Sequence, residues 1–130
     1  GTDAAPGPRL SASGTTGSLL RVEPLKWWLQ GTAPPALEAS LGNTLDISHS
    51  RTQLRIAGPA APEFLNRHLA LDLRSDAFPT GAVGSTVVHH VGVTLWHSDH
   101  GYELFIPRGF ALSLWEGFIE SASQFGLEIV

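Results

Sequence analysis

The chain has 130 residues, 42% of them hydrophobic, and a formal net charge of −4, which is the size and apolar content of one ordinary domain with a real core. Its 8 basic and 12 acidic residues form no basic block, and no apolar run reaches the roughly 18–20 residues that span a bilayer, so neither nucleic acid nor a membrane is an expected partner. The absence of cysteine excludes disulfides, thiolate–zinc sites and cysteine nucleophiles, and the absence of methionine, even an initiator, reads as a chain either processed or produced as an excised segment, with Gly1 a candidate cleavage scar.

Residues 1–17 (GTDAAPGPRLSASGTTG) are nearly all small, polar or proline. Such a segment buries too little apolar surface to offset its ordering entropy, so it is expected to be a flexible arm, docked along a partner if anywhere. Residues 18–130 are expected to form a single domain. SLLRVE and KWWLQG, joined through Glu23-Pro24-Leu25, read as two strands with a tight connection. Pro34–Gly42 reads as a short helix, with proline in its first turn, Leu37 and Leu41 on one face, and Gly42 at its end.

Asn43–Gly58 reads as two strands around a polar centre, the first alternating at Leu45 and Ile47, the second at Leu54 and Ile56. A helix follows, with Pro59 at its first position and Pro62 in its first turn. Its buried stripe is Ala61, Phe64, Leu65, His68 and Leu69. Leu73–Gly84 is a loop. The stretch STVVHHVGVTLWHSDHGYELFIP is sheet, rich in β-branched and aromatic residues, with Ser98-Asp99-His100-Gly101 as a turn and Gly92 as a bulge or a further turn. Phe110, Leu114, Trp115, Phe118, Ile119 and Ala122 then repeat at helical spacing as far as Gly126, and LEIV is a candidate last strand. Strands in hairpin-like groups with two to three helices between them predict an α+β fold with a largely antiparallel sheet.

Four of the six histidines (His89, His90, His97, His100) fall within twelve residues, with Asp99 among them. A metal would need His90, His97, Asp99 and His100 to converge at about 2 Å from it. Neighbours such as His89 and His90 point to opposite faces of a strand, so the expected reading is histidines decorating a sheet and its turn. Asp46, Ser48, His49 and Ser50 spell the letters of a hydrolase triad, but they crowd together and lack a G-x-S-x-G elbow, so a capped turn is expected. No G-x-G-x-x-G or P-loop is present, and Lys26, the single lysine, has no acid–base partner in its strand. Trp115 is expected in the core. Of Trp27 and Trp28, one should point inward and one outward, the outward one serving a binding or subunit surface unless the arm covers it.

The run LDISHSRTQLRIAGPAAPEFLNRHLALDLRSDAFPTGAVGSTVV (45–88) resembles the gamma subunit of heterotetrameric sarcosine oxidase, in its Asp-x-Ser segment, RTQLRIAGP, LDLR and AFPTG. YELFIPRGFALSLWEGFIESASQFG and the earlier LLRVEPLKWWL fit the same family, so the resemblance covers about residues 19–126. The family is in turn similar to the N-terminal part of the folate-dependent aminomethyltransferases, the glycine-cleavage T-protein group, which implies an aminomethyltransferase-like fold.

The resemblance implies a role as well as a fold. In the aminomethyltransferases a glycine-rich turn leads to a catalytic aspartate. The matching stretch here, HVGVTLWHSD, has Val91, Gly92 and Val93 in its place, and Asp99 comes too late. No catalytic, cofactor-binding or metal-binding residue is therefore carried over. What the resemblance implies is an accessory subunit of a bacterial, cytoplasmic enzyme that demethylates sarcosine, with FAD, FMN, NAD and tetrahydrofolate held by the other subunits (alpha, beta and delta). The candidate partner contacts are Trp27, Trp28 and Phe78, the last in the Leu73–Gly84 loop. The competing expectation is a stand-alone folate or one-carbon binding module.

Overall fold

The computed structural model describes residues 7, 9–14, 17–31, 45–123 and 126. The elements are β1 (Ser11–Ser13), β2 (Ser18–Glu23), β3 (Lys26–Gln30), β4 (Arg51–Ile56), α1 (Ala61–Asn66), β5 (Val83–Val88), β6 (Val91–Ser98), β7 (Gly101–Pro107) and α2 (Ala111–Ala122), the last entered through a 3-10 turn at Arg108–Phe110. They form a three-stranded sheet in the order β1-β2-β3 and a four-stranded sheet in the order β4-β7-β6-β5. Every pairing between named strands is antiparallel. The expected Pro34–Gly42 helix and the LEIV strand lie outside the described residues.

The larger sheet is the middle layer, and strand alternation assigns its two faces. Leu54, Ile56, Val88, Val93, Leu95, Tyr102, Leu104 and Ile106 face the helices, where they pack with Phe64, Leu65, Leu69, Leu114 and Phe118. On the opposite face Val83, Trp96 and Phe105 meet Leu20, Val22 and Trp28 of the smaller sheet. Because both faces of β7 are covered, Tyr102 to Ile106 are all buried, and YELFI reads as a continuous run rather than an alternating one.

Several local expectations differ from the structure. The arm is not free throughout: Ser11–Ser13 pairs with β2, and Leu10 bridges to Ala82. The tether is polar. Trp96 Nε1 donates to Ser11 Oγ at 2.8 Å, and that hydroxyl donates to the Gly81 carbonyl at 2.9 Å. Leu45–Ile47 is not a strand. The Asp46 carboxylate accepts the Ser48 N–H at 2.9 Å, and the Ser50 N–H closes on the Ile47 carbonyl at 2.9 Å, so these side-chain and turn bonds displace a ladder. The helix opens two residues later than Pro59 suggests: Ala60 is its cap, Ala61 its first residue, and Pro62 lies in its first turn. It also ends at Asn66, which leaves His68 half-buried in the turn beyond it.

His89 and His90 are not strand residues. Val88 pairs with Val91, and both histidines have positive φ (48° and 68°), so they occupy the two central positions of a type I′ hairpin turn. Gly92 makes neither bulge nor turn, standing in register opposite Val87. Ser98-Asp99-His100-Gly101 is the expected turn, with Ser98 paired to Gly101. Gly101 has φ 134°, and a Cβ there would lie 2.9 Å from the Ile56 carbonyl oxygen, so β4 approaches β7 closely at this point. Val83 and Gly84, expected at the end of a loop, begin β5. Trp115 is half-buried rather than core. No helix of the described residues is long and apolar enough to cross a membrane.

Candidate functional site

Two surfaces of the smaller sheet bear on function, and both come from the alternation of β3. Trp28 points inward and meets Phe105 edge-on, with ring centres 5.5 Å apart. Trp27 points outward, 39% exposed, beside Leu29 at 38% and Leu25 at 88%. The Arg21 guanidinium lies 5.3 Å from the Trp27 ring centre and donates to the Pro24 carbonyl at 2.6 Å, which holds the cation over the indole. The described part of the arm pairs edge to edge with β2, on the side away from β3, so it covers neither tryptophan.

Between β3 and β4 lies a groove of about 590 Å³, lined by Trp28, Gln30, Ser48, Arg51, Gln53 and Phe105 among others. The Arg51 guanidinium stands 5.8 Å from the Trp28 ring centre, and the side-chain amide of Gln30 donates to that of Gln53. Behind this groove is a carboxylate that sequence reading missed. Glu103, only 1% exposed, accepts from Arg55 Nε at 2.6 Å, Ser98 Oγ at 3.1 Å and Gln53 Nε2 at 3.2 Å. The register places Arg55 directly opposite Glu103. The signal was available, since one glutamate interrupts the apolar run YELFI while Gln53 and Arg55 share one face of β4.

Phe78, expected as a partner contact, is 2% exposed. Its carbonyl accepts from His97 Nδ1 at 2.9 Å, and its ring lies parallel to those of His97 and Tyr102, so the loop turns this side chain into the core rather than toward a partner.

The histidine constellation does not assemble. His90 immediately precedes β6 and His100 follows it, so the length of β6, roughly 25–30 Å at strand rise, separates them. His97 is held by Phe78 and stacks on Tyr102 at 4.3 Å. Among the described residues no group of His, Asp and Glu is placed to hold a metal ion. Asp46 and Ser48 form the capped turn described above, and the Ser48 hydroxyl and amide hold the Asp46 carboxyl below its ordinary range. His68 Nε2 and Ser121 Oγ share a hydrogen bond at 3.0 Å. That ring is wedged against Phe64 and Phe118, and burial, then the charges of His89 and Arg67, keep its pKa low. This pair docks α1 on α2. Ser121 lies inside a helix whose amides are already bonded, so it has no oxyanion donors beside it.

Comparison with known proteins follows the same lines. The GCVT N-terminal domain family matches residues 17–130. Subunit gamma of sarcosine oxidase from Arthrobacter sp. is 31% identical over 91 residues, covering 70% of this chain and 45% of that protein. The corresponding subunit from Corynebacterium sp. (strain P-1) is 31% identical over 96 residues, 73% of this chain and 47% of that one. An aminomethyltransferase of Geobacillus kaustophilus (strain HTA426) is 30% identical over 100 residues, 75% of this chain and 26% of its own length. The chain thus spans about half the length, or less, of these curated relatives. A chain of the heterotetrameric sarcosine oxidase from Corynebacterium sp. U-96, solved in complex with pyrrole 2-carboxylate, superposes with a TM-score of 0.80 at 23% identity, over 97% of this chain and 70% of that one, so the fold is shared. The chain belongs to the GCVT N-terminal domain family and is a relative of the gamma subunits of sarcosine oxidase.

Proposed function

We propose that this chain is an accessory, gamma-type subunit of a bacterial heterotetrameric sarcosine oxidase, contributing surface rather than chemistry to an enzyme that oxidatively demethylates sarcosine in the cytoplasm. Residues 18–130 form its domain, extended by the strand of the arm. FAD, FMN, NAD and tetrahydrofolate belong to the alpha, beta and delta partners. The observation that carries this reading is how the polar and apolar groups are disposed. The buried carboxylate of Glu103 is spent on Arg55, Gln53 and Ser98, whereas Trp27 and Leu29 stay on the outer face of the smaller sheet. Trp27 is the proposed contact, with Trp28 behind it; an exposed aromatic beside a stacked arginine is the composition that subunit interfaces favour. Co-expression with the flavin-bearing subunits, followed by size exclusion at flavin wavelengths, tests it. The chain is expected in the yellow fractions, and Trp27→Ala should reduce its share there at unchanged stability of the isolated chain. Elution alone and colourless would overturn the reading.

One feature favours a second reading, a folate or one-carbon binding module. The groove walled by Trp28 and Phe105 and edged by two amides has room for a planar ligand. Quenching of tryptophan fluorescence on titration with a reduced folate, lost in Trp28→Leu, would favour it.

A further inference from the structure

The apolar stripe of α2 is wider than the part of it that is covered. Leu114 and Phe118 are buried against the large sheet and α1, and Ala111 and Ala122 pack beside them. Leu112, Trp115 and Ile119 continue the stripe around the helix at i, i+3 and i+7. Leu112 is 70% exposed, and Trp115 and Ile119 are half-buried and belong to neither core cluster. Helix α1 holds the other flank, through Phe64 against Phe118 and His68 against Ser121.

Charge says what kind of segment would cover this seam. Glu116 and Glu120 are exposed along its edge, one turn apart, where like charges repel. Neither forms an ion pair among the described residues. The eight basic residues of these 130 (Arg9, Arg21, Lys26, Arg51, Arg55, Arg67, Arg74 and Arg108) are all described, and the ion pairs formed among the described residues involve neither carboxylate. A second copy of α2 would set glutamate against glutamate. We infer that the Leu112–Trp115–Ile119 flank of α2 seats an amphipathic helix of a partner subunit, apolar along the seam and bearing lysine or arginine where it meets Glu116 and Glu120. This deepens the subunit reading above and rests on it.

The test uses the full chain co-expressed with the flavin-bearing subunits. Leu112→Glu with Ile119→Ser, and separately Glu116→Lys with Glu120→Lys, should each lower the amount of chain in the yellow fractions at least tenfold, with the far-UV spectrum unchanged. In the unaltered complex, amides of residues 112–120 should exchange at least tenfold more slowly than in the isolated chain. If the wild-type chain co-elutes and both double variants do so equally, or if exchange across 112–120 is the same free and bound, this inference is overturned while the subunit reading stands. If residues 112–120 are already protected in the isolated chain, its own segments or a second copy cover the seam, and the inference fails in the same way. A wild-type chain that never co-elutes removes the subunit reading itself and this inference with it.

Discussion

Removing Arg55 should cost more than neutralising the carboxylate it serves. Glu103 is 1% exposed, whereas the Arg55 side chain is 54% exposed. Breaking an ion pair that is wholly out of water costs about 3–5 kcal/mol, because the surviving charge is stranded. Here the guanidinium reaches solvent and water can follow into its place, so about 2 kcal/mol is expected for Arg55→Leu, close to the value of one charge-assisted hydrogen bond. For a domain of this size that is a fall of roughly 8 °C in Tm. Glu103→Gln should cost only about 1 kcal/mol, since the new amide still accepts from Arg55 and Ser98, and the Gln53 and Gln30 amides can turn over together so that Gln53 presents its oxygen and still bonds Gln30. In the double variant no charge is stranded, so its loss should be smaller than the sum of the two single losses by about 1 kcal/mol. Urea titrations followed by tryptophan fluorescence are suited to the comparison, because Trp28 and Trp96 lie between the two sheets beside this cluster. An Arg55→Leu chain that unfolds within a few tenths of a molar urea of wild type, or a double variant whose loss equals the sum, would refute the reasoning.

Other perturbations follow from single positions. Gly101→Ala should destabilise by about 2–4 kcal/mol, measured by thermal melting, because its new methyl would press on the Ile56 carbonyl at a φ that side chains avoid. His89→Asn with His90→Gly should raise the Tm, by about 1 kcal/mol in stability, since both histidines hold the left-handed conformation that Asn-Gly adopts readily; an unchanged or lower Tm would show that the histidines make compensating contacts. The pKa of His68 is lowered from 6.5 by burial, so the unfolded chain binds the proton more readily. Stability should therefore be at its full value above that pH and decline as pH falls below it, levelling off once the folded-state pKa is passed. His68→Gln should flatten that dependence in melts between pH 5 and 8, roughly the range in which histidine titrates. Ser48→Ala should let the Asp46 carboxyl titrate closer to its ordinary value, visible by NMR, because both Ser48 groups bond its charged form.

Much of the fold was legible because it is written in short-range pattern. The apolar runs SLLRVE and YELFI, the alternation in RTQLRI, and the helical repeat through Leu114, Phe118 and Ala122 depend only on neighbours along the chain, and strands and a helix form at those places. The family was legible in the same way, as blocks in a fixed order. What failed locally did so where a polar side chain or a turn competes with periodicity. Leu45–Ile47 alternates like a strand, but the Asp46 carboxylate bonds to Ser48 instead of leaving the backbone to a ladder. His89 and His90 are unfavourable in a left-handed turn, and only the pairing of Val88 with Val91 makes them adopt it.

Composition by itself determined that the chain is one domain's worth of residues without cysteine chemistry or a basic surface, and its periodicities determined which residues alternate. Tertiary structure alone decided which face of each element meets another layer. It turned Phe78 inward, paired Ser11–Ser13 with β2, set Glu103 opposite Arg55, and left Leu112 exposed with Trp115 and Ile119 half-buried on the far side of the α2 stripe. Each of these depends on contacts between residues tens of positions apart. Their free energy comes from excluding water between surfaces that the chain brings together only when it has folded.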